Sequence, residues 1–352
     1  MNSPLRTDTV LYSAATAPAT SVPTAATMQA MVQRAYGAPD LLSLQTIARP
    51  TLGTHDVLVR VHAAALHIGD AFGVRGSPLP MRLTTGLLRP TPGVPGFDLA
   101  GVVEAVGTDV TAFRQGDAVF GASHGTCAEY ASAPDTQLAL KPDALTFEQA
   151  AAVPTSALAA LHGLRDAGGL TKGQAVLING AAGGIGTFAV QIAKALGADV
   201  TGVCSTANVE FLRALGADHV IDYTREDFAR GGRAYDLILD NVENRSLSDC
   251  RRALTRTGTL VLNSGSEGKD GPLTKMLARL LWPLVLSPFV RHNLRRYLSK
   301  PNPADLAALK ALLASGAIRP AIDRVFPLQE TPAALRYIET GHARGKVVIA
   351  VT

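Results

Sequence analysis

The sequence predicts an α/β fold in which a β-rich first third precedes a doubly wound parallel sheet. Three observations carry this expectation. Up to about residue 145, short segments of alternating polarity are punctuated by glycine and proline. From Gln174 onward, short continuous apolar runs alternate with helical segments. The first of those runs opens through a glycine-rich turn into a helix. With 352 residues, 47% of them hydrophobic and 18% charged, the chain suits two cores better than one.

Taken in order, residues 1–27 are rich in Ser, Thr, Ala and Pro and have neither a basic leader segment nor a continuous apolar run after one, so a disordered tail is expected. The segments MQAMVQRAYG, LLSLQTIARP and HDVLVRVHAAAL read as extended, the last with the period of two of a half-buried strand. GVPGFDLAGVVEAVG reads as two short strands, and FRQGDAVFGA as a turn at Gly116 and Asp117 leading into another. Helices are expected from Thr146 to about Ala152 and from about Ser156 to Arg165. AVLING then suits a strand buried on both faces, followed by AAGGIG and the helix TFAVQIAKALG. Strand DVTGVCS, helix NVEFLRALG, a strand near His219 to Ile221, strand YDLILDNV, helix SLSDCRRAL and strand GTLVLNSG continue the alternation, because parallel strands need crossover helices. ADLAALKALLASG is helical, and RVFPL and GKVVIAV return to β character.

Composition excludes several classes of function. The net charge is only +4, and the one basic cluster, Arg291, Arg295, Arg296 and Lys300, has little aromatic interleaving beyond Tyr297. It reads as a solvated helix face, and no nucleic-acid partner is expected. Cys127, Cys204 and Cys250 are odd in number and unpatterned, which argues against a disulfide framework and for a reducing, cytoplasmic setting. The apolar stretch Leu277 to Val290 is shorter than a bilayer span and carries Pro283 and Pro288, so no integral membrane segment is expected.

The residues Ala181 to Gly186 form an A-x-G-x-x-G pattern between a strand and a helix. Small residues there let backbone approach a pyrophosphate, and the helix N-terminus offers unpaired N–H groups and a positive dipole end. An acidic residue about 20 positions further on normally binds the adenosine ribose hydroxyls. Here Ser205 and Thr206 stand at that place, and hydroxyls do not repel a 2′-phosphate. NADPH is therefore the expected cofactor.

Together with ALHIGDAFGVRG, PGFDLAGVVEAVG, GDAVFG, VCSTANVEFLRALGADHVIDY, DLILDNV and GHARGKVVI, this fingerprint resembles the quinone oxidoreductase-like branch of the medium-chain dehydrogenase/reductase superfamily, near the reticulon-4-interacting-protein-like reductases. The likeness runs from Met28 to Thr352. It implies a GroES-like catalytic domain from residues 28–150 and 298–352, and a Rossmann NADPH-binding domain from 151–297. It further implies that Ala182, Gly183, Gly184 and Ile185 wrap the pyrophosphate, and that Ser205 and Tyr223 flank the 2′-phosphate. Leu262, Asn263 and Ser264 would lie near the nicotinamide, and His342, Ala343 and Arg344 would reach the cofactor. Ala207 stands where many relatives place a basic residue, which shifts the expected phosphate contacts to Tyr223, Arg344 or Lys346. Homodimers through edge strands of the Rossmann sheet are common in the family and are expected as a possibility here.

The zinc alcohol dehydrogenases of the same superfamily use a cysteine and a His-Glu pair from these catalytic-domain segments. This chain has His67 at the cysteine position and Gly96-Phe97-Asp98 without the histidine, and it has no C-x-x-C spacing, so no metal site is expected. Without a Lewis acid, hydride addition to a conjugated, electrophilic carbonyl compound such as a quinone or enone is easier than alcohol oxidation, because preorganised donors can carry the charge that reaches oxygen. Asp70, on the loop after ALHIG, is a candidate for positioning substrate or a proton-donating water, with a turn or cap residue as its plain alternative. His67 is a candidate proton donor with a structural histidine as its alternative. Tyr130 and His124 read as structural. Residues 266–296 are expected to cover the substrate. An alcohol dehydrogenase with an unusual metal site, and a catalytically weak NADPH-binding protein, remain the competing readings.

Overall fold

The computed structural model describes residues 26–79, 82–91, 93–263 and 290–351. Of the expected tail only residues 26 and 27 fall within them, and Thr27 already starts a strand. The β-rich part comprises β1 (Thr27–Val32), β2 (Ser43–Ala48), β3 (Asp56–Leu66), β4 (Asp98–Val106), β5 (Ala118–Ala122), β6 (Tyr130–Pro134) and β7 (Leu138–Leu140), with short helices α1 (Ile68–Arg75) and α2 (Arg82–Thr85) between β3 and β4. In β3, Val57, Val59 and Val61 are buried at alternate positions while Arg60 faces solvent, as the period of two requires.

Two helices, α3 (Phe147–Ala151) and α4 (Pro154–Leu161), lead out of this region. Thr146 caps α3 in a reciprocal box with Gln149. The second helix starts at Pro154, ahead of the expected Ser156, since proline at the first helical position has no N–H to lose. It continues as a π-helix over His162–Ala167.

Next come β8 (Ala175–Asn179), α5 (Gly184–Ala195), β9 (Asp199–Cys204), α6 (Val209–Ala214), β10 (His219–Asp222), β11 (Tyr235–Asp240), α7 (Leu247–Arg252), β12 (Leu254–Leu262) and β13 (Asn293–Arg296). The sheet order is β10-β9-β8-β11-β12-β13, with every pair parallel. This is the doubly wound order whose direction of winding reverses between β8 and β11, and ligands in such sheets bind outside the carboxyl ends of the strands at that reversal. Val176, Ile178, Leu237 and Leu239 are buried, as strands covered on both faces demand.

The chain then returns through α8 (Pro303–Ala314), β14 (Ile322–Pro327), α9 (Thr331–Glu339) and β15 (Lys346–Ala350). β15 pairs antiparallel with β3, Val347 opposite Leu66, so the last strands join the β-rich part in the sheet β14-β15-β3-β4-β5-β7, while β1 and β2 pair as a separate two-stranded sheet. A single apolar cluster runs from Ala63, Ala100 and Phe120 of that sheet through α3 and α4 to Val176 and Ile178.

Some expectations change. Asp70 lies in the first turn of α1, not on a loop. The basic cluster is not a helix face: Arg295 and Arg296 belong to β13, because residues 293–296 supply the last strand of the parallel sheet. Of the segment 266–296, residues 266–289 lie outside the described residues, and Asn293–Arg296 is an edge strand instead of a cover. No helix among the described residues is long and apolar enough to cross a membrane, and all but the last residue of Leu277 to Val290 lie outside them.

Where the chain recrosses between the two sheets, His162 Nε2 lies 2.8 Å from Asp305 Oδ2 and His162 Nδ1 lies 2.9 Å from Ser299 Oγ. Arg165 donates to the other oxygen of Asp305 at 2.7 Å. Burial works against the charge on Asp305, but donors from Asn302, His162 and Arg165 prevail and hold its carboxyl down at about 2, against an ordinary 3.8. A depressed folded pKa contributes stability that is present above the unfolded value and is lost as pH falls toward the folded one. Asp305→Asn should therefore cost about 2 kcal/mol at pH 7. In urea unfolding the gap from wild type should narrow as pH falls from about 4 toward 2; a gap constant with pH would contradict an ionic clasp.

Candidate cofactor and active site

The turn after β8 is shaped for close approach. Gly180 takes a left-handed φ of 75°, where a side chain would also meet Val242. A Cβ on Gly186 would come within 2.2 Å of the Gly180 carbonyl oxygen, so this glycine lets α5 press against β8. Gly183 differs: its φ of −82° suits any residue, and a Cβ there would meet only the Gly180 oxygen, at 3.5 Å. The space in front of Gly183 is thus open, beside the N–H groups of the first turn of α5, which begins with Gly184 and Ile185 and which no side chain caps. It fits the pyrophosphate of a dinucleotide in charge and in shape. Ala182 completes the turn and accepts a 2.9 Å hydrogen bond from the Gly345 amide.

At the neighbouring strand ends, Cys204 and Asp222 are register partners, which sets Ser205 beside Tyr223, whose ring is about half exposed. The Thr206 hydroxyl is turned to the strand end, donating to Asp222 Oδ2 at 2.5 Å. Thr224 donates to the other oxygen of Asp222 through its hydroxyl and its amide, at 2.7 and 3.0 Å. These bonds, that of Thr206 foremost, hold the Asp222 carboxyl below its ordinary range. From the far end of the chain, Arg344 lies over the Phe211 ring of α6 at 5.1 Å, bringing a guanidinium to the helix that follows Ser205. The Arg344 amide donates to Asp323, which also accepts from Tyr337. Ala343 packs into the catalytic-domain core, while His342 is exposed. Lys346, a candidate for the 2′-phosphate, is wholly buried and turned away from this end.

On the other side of the reversal a polar net closes the ends of β8, β11 and β12. Asn179 donates to Asp240 at 2.8 Å and to Asn244 at 3.1 Å, and Asp240 also accepts the Val242 and Glu243 amides. The Asn263 amide group donates to Asn241 at 3.0 Å, and Leu262 beneath it is buried. Glu243 has a φ of 54° and is held by both terminal nitrogens of Arg296, at 2.8 and 3.1 Å. Ser264, expected here, lies outside the described residues. Sequence reasoning missed Asn179, Asp240 and Asn241, although polar residues closing the apolar runs AVLIN and YDLILD were a usable signal.

Directly after β3 comes His67, the N-cap of α1. Its Nδ1 accepts the Gly69 N–H at 3.0 Å, and Asp70 Oδ2 accepts the His67 N–H at 2.8 Å. A Cβ on Gly69 would strike the imidazole at 2.7 Å, so the ring needs glycine there. With Nδ1 accepting, a neutral ring carries its proton on Nε2. Burial pushes the Asp70 carboxyl up, against the pull of His67. Asp98, at the start of β4, is fully buried: its Oδ1 accepts from the Thr155 amide at 3.0 Å and hydroxyl at 2.5 Å, and its Oδ2 from Lys346 Nζ at 3.3 Å. Among the described residues no three His, Cys, Asp or Glu side chains are grouped to hold a metal. Exposed His124 packs edgewise on Phe97, and Tyr130 lies under Arg49, consistent with structural roles.

Sequence profiles match two segments: an alcohol dehydrogenase GroES-like domain at residues 53–162 and a zinc-binding dehydrogenase domain at residues 215–349. The chain is 36% identical to the mitochondrial NAD(P)H oxidoreductase RTN4IP1 of Mus musculus, over 92% of this chain and 89% of that protein. It is 32% identical to a 2-methylene-furan-3-one reductase of Solanum lycopersicum, over 98% of this chain and 85% of that protein. The quinone oxidoreductase of Coxiella burnetii superposes with a TM-score of 0.80 at 30% identity, over 93% of this chain and all of that one.

The glycine geometry separates ligand approach from folding. Gly183→Val should keep a cofactor-free thermal melt near that of wild type and weaken NADPH binding at least tenfold. Gly186→Ala should lower the melt, since its methyl must displace backbone. Normal NADPH titration of a folded Gly183→Val protein would remove the cofactor from this turn.

Proposed function

Because the chain belongs to the medium-chain dehydrogenase/reductase superfamily, in its quinone oxidoreductase-like branch, we propose that this oxidoreductase uses NADPH to reduce a quinone, enone or related activated carbonyl compound without a metal ion. The observation that carries the proposal is the state of two groups at the family's zinc-ligand segments: the His67 ring keeps an Nε2 proton to donate, and the buried Asp98 is already committed to Lys346 and Thr155.

Gly183, Gly184 and the first turn of α5 would hold the pyrophosphate, Ser205, Tyr223 and Arg344 the 2′-phosphate end, and Asn263 the nicotinamide end. Bound there, NADPH supplies a hydride. When hydride adds to the carbon conjugated with a carbonyl group, negative charge develops on the carbonyl oxygen, and the His67 Nε2 proton stabilises it by hydrogen bonding. A proton then completes the reduction, from His67 or from water. Asp70 orients His67 through the cap and does not itself touch substrate. His67 Nδ1 is spent on Gly69, so the ring cannot bind a metal through that atom without opening the helix cap. The likeness to a reductase named for a methylene-furanone, itself an enone, supports this substrate class. Cys127, Cys204 and Cys250 are buried and free, which suits a cytoplasmic, reducing setting.

Stopped-flow NADPH oxidation over a panel of quinones and enals, after exhaustive chelation, should show full turnover. Loss of turnover with removal of stoichiometric zinc would favour an alcohol dehydrogenase, and no turnover with any acceptor would favour a binding protein. NADPH should bind several-fold more tightly than NADH, and Ser205→Asp should reverse the order by repelling the 2′-phosphate. His67→Ser keeps a good N-cap and removes the donor; its melt should stay close to wild type while kcat falls about 100-fold. An unchanged kcat would take His67 out of the chemistry.

A further inference from the structure

Lys346 opens β15 of the catalytic sheet, where that sheet comes up against the turn after β8. Its neighbour Gly345 forms a parallel bridge with Gly183 and donates its amide to the Ala182 carbonyl at 2.9 Å. Its own amide donates to the Ala321 carbonyl at 2.8 Å. Its methylenes run beneath the phosphate turn: a Cβ on Gly184 would lie 3.3 Å from Lys346 Cδ. Its ammonium ends on Asp98, whose other oxygen takes the first-turn amide and the hydroxyl of Thr155 on α4. The side chains of Lys346 and Asp98 are 1% and 0% exposed.

A buried ion pair is a poor way to gain stability, because desolvating both charges consumes most of their attraction, and apolar residues of the same size often serve better. What such a pair does provide is direction: the ammonium has one carboxylate to reach, and reaching it fixes the course of the side chain. Here that course connects the glycine turn to β4 and to the start of α4, with His67 flanking β15 on the other side, one residue beyond the Leu66–Val347 pair.

We infer that Lys346 is a positioning residue: with Asp98 it sets the phosphate turn of the Rossmann sheet in register with the catalytic sheet, and so fixes the distance between the bound dinucleotide and His67. The inference rests on reading the glycine turn as the cofactor cradle. The role is indirect, since the ammonium is spent on Asp98 and does not contact the phosphates.

The test uses the full chain and four variants: Lys346→Met, Lys346→Arg, Asp98→Asn, and the double change Asp98→Asn with Lys346→Met. Amide hydrogen exchange without cofactor reads the seam itself. In Lys346→Met the Gly345, Gly183 and Thr187 amides should exchange about tenfold faster, while the β9 amides from Val200 to Cys204 keep wild-type rates. NADPH affinity should fall about tenfold. In the double variant no charge is left buried, so its melt should recover while the exchange and the weakened binding do not. Lys346→Arg should retain much of the protection. Should Lys346→Met itself fail to fold, the double variant carries the test. Wild-type exchange at Gly345 and Gly183 in either variant lacking the lysine would overturn the inference, as would a double variant that regains both melt and affinity, because the pair would then matter only through charge burial. Failure of the wild-type protein to bind NADPH would instead overturn the cofactor reading, and it leaves the exchange result standing as a separate measurement.

Discussion

The cleft depends on one close backbone approach, that of Gly345 to the turn at Ala182 and Gly183. Gly345 has a φ of 86°, and a Cβ there would lie 2.3 Å from the Ala321 carbonyl oxygen, so this bridging position needs glycine. Because β15 also pairs with β3, the same few residues set three things at once: the closure of the catalytic sheet, the seat of α5, and the place of His67 beside the turn. The site is therefore built from residues nearly 280 positions apart in sequence, counting from His67 to Lys346. Its accuracy comes from backbone pairing, which leaves little rotamer freedom to lose.

Local pattern made the parallel sheet legible, because each strand and crossover helix carries its own period, and the glycine turn was readable for the same reason. What stayed hidden had either a weak local signal or partners distant in sequence. Nothing near Asp70 reveals that it lies in a helix, since α1 is short and its cap is a histidine rather than the usual Ser, Thr, Asp or Asn. Likewise, Arg295 and Arg296 resemble a solvated helix face until β12 lies alongside and Glu243 takes the Arg296 guanidinium. Helix α9 passed without notice because its stretch begins with Thr331-Pro332 and carries only a brief apolar face. Lys346 was legible as a cation but not as a buried one; its burial follows from Asp98, almost 250 residues earlier.

The adenosine end shows how a missing charge can be supplied from elsewhere. Ala207 removes the basic residue expected beside a 2′-phosphate, and Asp222 adds a carboxylate close by. Both oxygens of Asp222 are turned inward onto Thr206 and Thr224, so its charge is compensated by local dipoles. Arg344 reaches the same helix from the catalytic domain, held by the Phe211 ring. If NADPH binds as proposed, affinity for its 2′-phosphate would require the two domains to be correctly placed, which would couple cofactor choice to the seam.

The same seam bears on the proposal that the reaction needs no metal. A zinc ion organises its ligands and polarises a carbonyl oxygen in one stroke. In the mechanism proposed above the two tasks are divided. Organisation falls to the Asp98–Lys346 pair, which joins β4, α4 and β15 through hydrogen bonds, whereas polarisation falls to the His67 Nε2 proton, whose tautomer is set by the Gly69 amide. An imidazole N–H stabilises developing negative charge less strongly than a divalent cation does. Such a site is matched to substrates whose conjugation already spreads that charge, and poorly matched to the reverse task of activating a saturated alcohol. The division of labour that the cap and the buried pair impose is therefore itself an argument for unsaturated, electrophilic substrates.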